Sequence, residues 1–211
     1  MFFITVSIVV FLLLNMLLGS VSIPFSSVWN VLVGGGDEPV AWQNIILKSR
    51  LPQALTALVA GAGLSISGLQ MQTIFRNPLA GPSVLGISSG ASLGVAFVVL
   101  LSGKLGGVAL SRLGFIGEVA LSVAAIVGAL SVMGLIVFAS RKIRGSVTLL
   151  IIGVMIGYIA NAVIGVLKFF SVEEDIKAYV IWGLGSFARV SGNQMMLFVT
   201  IMAVIYPCLF C

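Results

Sequence analysis

Histidine is absent from this 211-residue chain, cysteine occurs twice, and charge is scarce, with Asp, Glu, Lys and Arg together at 8%. Each shortage removes a class of function. Cys208 and Cys211 have the Cys-x-x-Cys spacing of a redox or metal motif, but they sit in the last apolar stretch without partner ligands or a βαβ context. They read as two small apolar side chains, and neither a metal site nor a catalytic residue is expected. The missing His also argues against direct axial ligation of haem by this chain. No Gly-x-x-x-x-Gly-Lys-Ser/Thr loop is present, and Ser102-Gly103-Lys104 lacks both the first glycine and the final hydroxyl. ATP hydrolysis in this chain is therefore excluded, and no cofactor is expected. The formal net charge of +5 comes from Lys and Arg scattered singly between apolar runs, which builds no face for nucleic acid.

What is abundant is apolar surface. Hydrophobic residues make up 60% of the chain and the mean hydropathy is +1.24, whereas soluble domains carry roughly a quarter charged residues. The bilayer is the natural solvent. Charge-free apolar windows fall at 2–19, 51–75, 84–102, 115–139, 147–167 and 192–211, each about the ~20 residues that a crossing helix needs. In lipid the backbone must bond within helices or a closed barrel, and alternating ten-residue strands are absent. The expectation is an all-α, polytopic transmembrane bundle of about six spanning helices, forming a single domain over 1–211. Phe2–Leu18 is longer than a signal-peptide core and has no preceding Lys or Arg, so it reads as a retained first helix.

The connections hold nearly all the charges, as the cost of at least ~2.5 kcal/mol for a charge at mid-bilayer requires. Glu118 is the near exception, within about a turn of a helix end. With the N-terminus in the cytoplasm, the inner connections hold Arg76 and the cluster Arg141, Lys142 and Arg144 without acids. The outer connections hold more basic residues, but mixed with acids, so the positive-inside rule only leans towards that orientation. Between the fifth and sixth spans, Ser171-Val-Glu-Glu174 fits a capping box and predicts a short interfacial helix near 172–183.

Small residues recur at every fourth position in three windows. Gly153, Gly157, Asn161 and Gly165 form one stripe, Ala57, Gly61 and Ser65 a second, and Gly86, Gly90 and Gly94 a third. Helices in lipid gain little from apolar contact, so such stripes let backbones approach. The stripe with Asn161 has two readings: an interface in which the amide bonds to a neighbour, or one wall of a solute path. Arg50-Leu-Pro52 opens the second window, and Asn77-Pro78-Leu79-Ala80-Gly81-Pro82 ends it, because two prolines within five residues break a helix.

Arg50-Leu-Pro52, Gly61-Ala-Gly63, Gly68-Leu-Gln70-Met-Gln72, Asn77-Pro78-Leu79-Ala80 and Leu85-Gly86-Ile-Ser-Ser-Gly90-Ala91, in that order, resemble the signature of the permease subunits of iron-siderophore, haem and vitamin B12 ABC importers, the FecCD-type family. Trp182-Gly-Leu-Gly185-Ser186 is similar to that family's later motif. The resemblance implies a permease in a prokaryotic cytoplasmic membrane that moves a ferric siderophore, haem or cobalamin. Its implied partners are ATPase subunits, an extracytoplasmic binding protein and a second permease subunit, identical or paralogous. It implies that Arg50 docks the binding protein, that Gly153, Gly157, Asn161 and Gly165 line the path, and that Gly145 and Ser146 form a cytoplasmic gate.

Two departures stand against the family pattern. Gly81 replaces the usual Asp or Glu, and the chain stops near the sixth helix of a fold of about ten, which implies the N-terminal part of a longer permease without its ATPase-docking segment. A path built from two inverted repeats needs both. An inactive structural fragment is thus one alternative. An ion-coupled transporter or channel is another, although it would want ionisable groups inside the spans.

Overall fold

In the computed structural model of the chain, residues 2–35, 38–102, 115–143 and 145–208 are described, and every regular element among them is helical. The order is α1 (Phe2–Leu17), α2 (Phe25–Val33), α3 (Val40–Ile45), a π-helical turn (Ile46–Arg50), α4 (Leu51–Phe75), α5 (Ile87–Ser102), α6 (Phe115–Ser140), α7 (Ser146–Phe169), α8 (Glu173–Gly183), a 3₁₀ turn (Phe187–Arg189) and α9 (Gly192–Cys208). Each of the six apolar windows holds a helix. Val40–Phe75, Ile116–Ser140 and Val147–Phe169 are each long and apolar enough to cross a membrane. Phe2–Leu17, Ile87–Leu101 and Gly192–Pro207 are apolar but shorter, at about 24 Å for sixteen residues against a core of roughly 30 Å, and need flanking residues to complete a crossing. The chain is an all-α, polytopic membrane protein.

Two compact units are distinguished within it: residues 1–63 with 186–211, and residues 64–185. In the first, Met16, Ile23, Val28, Val31, Ile46 and Ala54 make a buried cluster that joins α1, α2, the π-helical turn and the start of α4. Helix α2 escapes the search for apolar windows because it has only nine residues, but its buried Ser27, Val28 and Val31 share one face. It closes on Gly34 in the left-handed region (φ +91°), with Gly35 N donating to Asn30 O at 2.7 Å. At the other end of the unit, the Tyr206 hydroxyl of α9 donates to Val59 O of α4 at 2.6 Å.

The second unit is built round α5. Its buried Val95, Ala96, Val99 and Leu100 pack with Ile164 of α7 and Tyr179 of α8. Gly90 and Gly94 bring α5 to backbone contact with α6: a methyl group on Gly128 would collide with the Gly90 carbonyl, and one on Gly94 with the Ala124 carbonyl. Helix α8 lies where the short helix was expected, and it rests on α5 through Tyr179 and Trp182. Burial pushes the Tyr179 phenol above its ordinary pKa, although a hydrogen bond with Ser92 acts the other way. The Lys168 ammonium lies 4.7 Å from the Tyr179 ring centroid.

The capping box is not where the sequence placed it. Val172 is the residue before α8, and no side chain caps that end. The Ser171 hydroxyl turns back to Leu167 O at 2.6 Å and Leu100 O at 3.1 Å, because the closing carbonyls of α5 and α7 lie within its reach. A box forms instead at α9, where Ser191 N donates to Gln194 Oε1 at 3.0 Å and Gln194 N to Ser191 Oγ at 3.5 Å.

Helix α4 ends in a Schellman closure, with Asn77 N bonded to Gln72 O at 3.1 Å and Arg76 N to Thr73 O at 3.3 Å. Arg76, not glycine, takes the left-handed position at φ +48°. Asn77 Oδ1 then accepts from Leu79 N at 2.9 Å, which starts the proline-containing turn.

Gly128→Leu should force α5 and α6 apart and lower the thermal midpoint of the detergent-purified protein by several degrees, as overpacking by about 1–3 kcal/mol would. Gly134→Ala, on the same helix with open space around it, should leave the midpoint unchanged or slightly raised. Equal effects of the two would show that α5 and α6 do not pack through glycine.

Candidate functional site

Helix α7 meets the start of α5 at two of its stripe residues. A methyl on Gly86 (φ +72°) would lie 2.6 Å from Gly153 O and 3.0 Å from Gly157 N, so only glycine fits this crossing. Gly153 is pressed against Leu85, where an added methyl would come within 2.8 Å of its Cα. One turn further along α7 the surfaces part. An open cavity of about 310 Å³ lies there, bordered by Ser83, Val84, Gly86, Ser89, Val154, Gly157, Tyr158 and Asn161. Tyr158 and Asn161 are exposed at its mouth.

The four residues expected to line a path thus fall in different settings. Gly157 and Asn161 border the cavity, Gly153 is buried in the crossing, and Gly165 is exposed with nothing within 4 Å of an added methyl. Ser83, Ser89 and Tyr158 join the same cavity; Ser89 belongs to the Leu85–Ala91 motif but had no role assigned to it, and Ser83 and Tyr158 were not singled out in the sequence. The two serines flank the Gly86 turn and could have been noticed from it. Tyr158 carried no signal, because an isolated tyrosine in an apolar helix is ordinary.

Arg50 is buried, at 6% exposure. Its Nη1 donates to Met16 O at 2.6 Å and to Leu17 O at 3.1 Å, and its Nη2 donates to Val21 O. The guanidinium therefore caps the last carbonyls of α1, which have no partner within that helix, and its charge complements the helix dipole. Gly19 makes room for it, since a methyl there would lie 2.8 Å from Nη2. Ile46 and Arg50, the two ends of the π-helical turn, are both buried. A carboxylate on another protein could reach Arg50 only by drawing it from these carbonyls.

Gly145 precedes α7 with φ +152°, a conformation that side chains rarely adopt, and its carbonyl accepts from Leu149 N at 3.2 Å. Ser146 is the first residue of α7. Arg144, Lys104, Arg112 and Cys211 lie outside the described residues. An added methyl group on Gly81 would meet nothing within 4 Å. No group of His, Cys, Asp or Glu among the described residues could hold a metal ion.

An all-α membrane protein with a neutral cavity on one glycine-rich helix crossing is the class that this geometry defines. The sequence matches the FecCD transport family over residues 7–211, and the chain belongs to that family. It is 32% identical over 180 residues to the hemin transport system permease protein of Yersinia pestis, covering 85% of this chain and 50% of the relative. It is 36% identical over 163 residues to the vitamin B12 import system permease protein of Klebsiella pneumoniae, covering 77% of this chain and 46% of the relative. A match to a probable iron chelatin transport system permease protein of Helicobacter pylori is 40% identical over 144 residues, covering 67% of this chain and 39% of the relative. Among solved structures, an inward-facing conformation described as a metal-chelate type ABC transporter superposes with a TM-score of 0.72 at 26% identity, covering 96% of this chain and 58% of that one. The chain spans about half the length of the curated relatives it matches.

Removal of the Arg50 clasp tests the first unit. Arg50→Met should cost roughly 3 kcal/mol or more, because it leaves buried carbonyls without donors. Arg50→Lys should recover only part of the loss, since an ammonium cannot fork to Met16 O and Val21 O together. The checks are the thermal midpoint and the rate of proteolysis between α1 and α2. A midpoint unchanged in Arg50→Met would refute the clasp.

Proposed function

We propose that this chain is a permease subunit of an ATP-binding-cassette importer that moves a metal chelate, haem or a corrinoid across the cytoplasmic membrane of a prokaryote. The observation that carries the reading is the FecCD family match over residues 7–211, reinforced by relatives whose names describe hemin, iron chelatin and vitamin B12 transport. The chain is not itself the source of energy, since it contains no phosphate-binding loop. Its partners in this reading are ATPase subunits, an extracytoplasmic binding protein and a second permease subunit.

Within this reading, Gly157 and Asn161 are set beside the path, and the Gly145–Ser146 turn is the place for a cytoplasmic constriction, where backbone without bulky side chains can close and open. Arg50 keeps a docking role only by exchange: a bidentate carboxylate makes stronger bonds than carbonyls do, so an acidic residue on the binding protein would compete for the guanidinium.

Deletion of this chain from the producing cell, followed by uptake measurements with labelled ferric chelates, haemin and cobalamin, tests the proposal. Loss of at least one uptake activity, restored by the chain in trans, is expected. Undiminished uptake of all of them would overturn it.

A further inference from the structure

Helix α2 has three distinct faces. At about 100° per residue, its buried Ser27, Val28 and Val31 occupy one arc, Ser26 and Asn30 a narrow second arc, and Phe25, Trp29, Leu32 and Val33 a third. The first arc packs with Met16 of α1 and Ile46 of the π-helical turn. The second is polar, and Asn30 Nδ2 donates to Glu38 Oε1 at 3.2 Å. The third is apolar and exposed, with Phe25 at 55%, Trp29 at 58% and Val33 at 68%. Apolar residues scattered singly on a surface are ordinary, but four on one arc of a nine-residue helix form a patch that water does not favour.

The level of α2 in the membrane follows from Arg50. Its guanidinium holds Met16 O and Leu17 O on one side of the turn that leaves α1, and Val21 O on the other. A charge is costly at mid-bilayer and tolerated at the boundary, so the end of α1, with α2 packed against it, stands where hydrocarbon gives way to headgroups. The charge pattern agrees. No charged side chain precedes Asp37, just past α2, and the exposed Lys48 lies on the π-helical turn that α2 packs against. Trp and Lys are the side chains that anchor membrane proteins at headgroup level. Helix α1 exposes Phe11 and Leu14, and Leu18 just beyond it is exposed too, so lipid already borders the turn from which α2 departs.

We propose that α2 is an in-plane helix whose Phe25–Trp29–Val33 face lies in the lipid interface of the leaflet where α1 ends, with Ser26 and Asn30 turned towards water. The occupant of the apolar arc is phospholipid at the boundary of headgroup and acyl chain. Apart from the Trp29 indole N–H, which suits an ester or phosphate oxygen, the arc offers only carbon to acyl chains. Packing on α1 already holds the helix in place, so it needs no basic face of the kind that free amphipathic helices use to find an anionic membrane. This assignment goes beyond the transport reading and does not depend on it.

The chain has three tryptophans, so the emission lost in Trp29→Phe reports on Trp29. The full chain is reconstituted in phosphatidylcholine vesicles brominated either near the headgroup end of the acyl chain or near its methyl end, and aqueous acrylamide serves as a second quencher. Trp29 should be quenched several-fold more by the shallow bromine than by the deep one, and little by acrylamide. Trp29→Phe with Phe25→Trp should behave like the parent. Trp29→Phe with Asn30→Trp turns the reporter about 100° round the helix and should reverse the preference in favour of acrylamide. Insensitivity of Trp29 to bromine would overturn the proposal: with strong acrylamide quenching the face lies in water, and with weak quenching by both another polypeptide covers it. Stronger quenching by the deep bromine, or equal bromine quenching at positions 29 and 30, would also overturn it, since α2 would then lie within the hydrocarbon and not along its boundary.

Discussion

Helix α5 can approach α6 and α7 only because glycine stands at each crossing, and the second unit is arranged round that approach. Lipid chains are as apolar as leucine, so the helices gain little by hiding apolar side chains from each other. What holds them is dispersion between closely packed backbones, and that falls off steeply once a methyl group intervenes. Gly90 and Gly94 oppose Gly128 and Ala124 on α6, and Gly86 opposes Gly153 and Gly157 on α7. With α5 fixed on two sides, Val95, Ala96, Val99 and Leu100 are left to receive α8 through Tyr179 and Trp182. The short helix, although it has three acids in its first turn, is thereby anchored by its aromatic face.

The same solvent makes every helix end a problem, since four carbonyls at each C-terminus lack partners within the helix. This chain solves the problem with several devices. Arg50 reaches from the π-helical turn to close α1, Ser171 serves the ends of α5 and α7 together, and the left-handed residues Gly34 and Arg76 close α2 and α4. The Arg50 solution is the most demanding, for it requires a buried charge and a glycine at 19.

Helix positions were legible in the sequence because a crossing segment must be long, apolar and free of charge, and each such window holds a helix. The α2 helix was not, because nine residues with one buried face look like a loop in a hydropathy profile. Ser171 matched a capping pattern and still failed to cap, since the pattern says nothing about two helix ends arriving next to it. Ser191–Gln194 satisfies the same pattern and does cap. Arg50 was visible as a motif residue, but its burial rests on carbonyls about thirty residues earlier, at Met16, Leu17 and Val21, which no local residue preference announces. The Gly153–Gly165 stripe was legible as a smooth face; where that face packs and where it opens depends on the path of α5, which the stripe alone does not encode.

That division of one stripe into two settings has a physical logic. A spacing of four advances the helix by slightly more than one turn, so each successive stripe residue is rotated by about 40° relative to the last. Against a straight neighbour crossing at an angle, contact at backbone distance can persist for only a turn or two before the surfaces diverge. Gly153 and Gly157 occupy that interval, and Asn161 stands where divergence has begun. A larger residue is tolerated there because there is room for it, and a polar one because the opening can hold hydrogen-bonding partners. The close packing that fixes α5 against α7 therefore also creates the cavity beside it, so a change that loosens the Gly86 crossing would alter the cavity even though it left every polar lining residue in place.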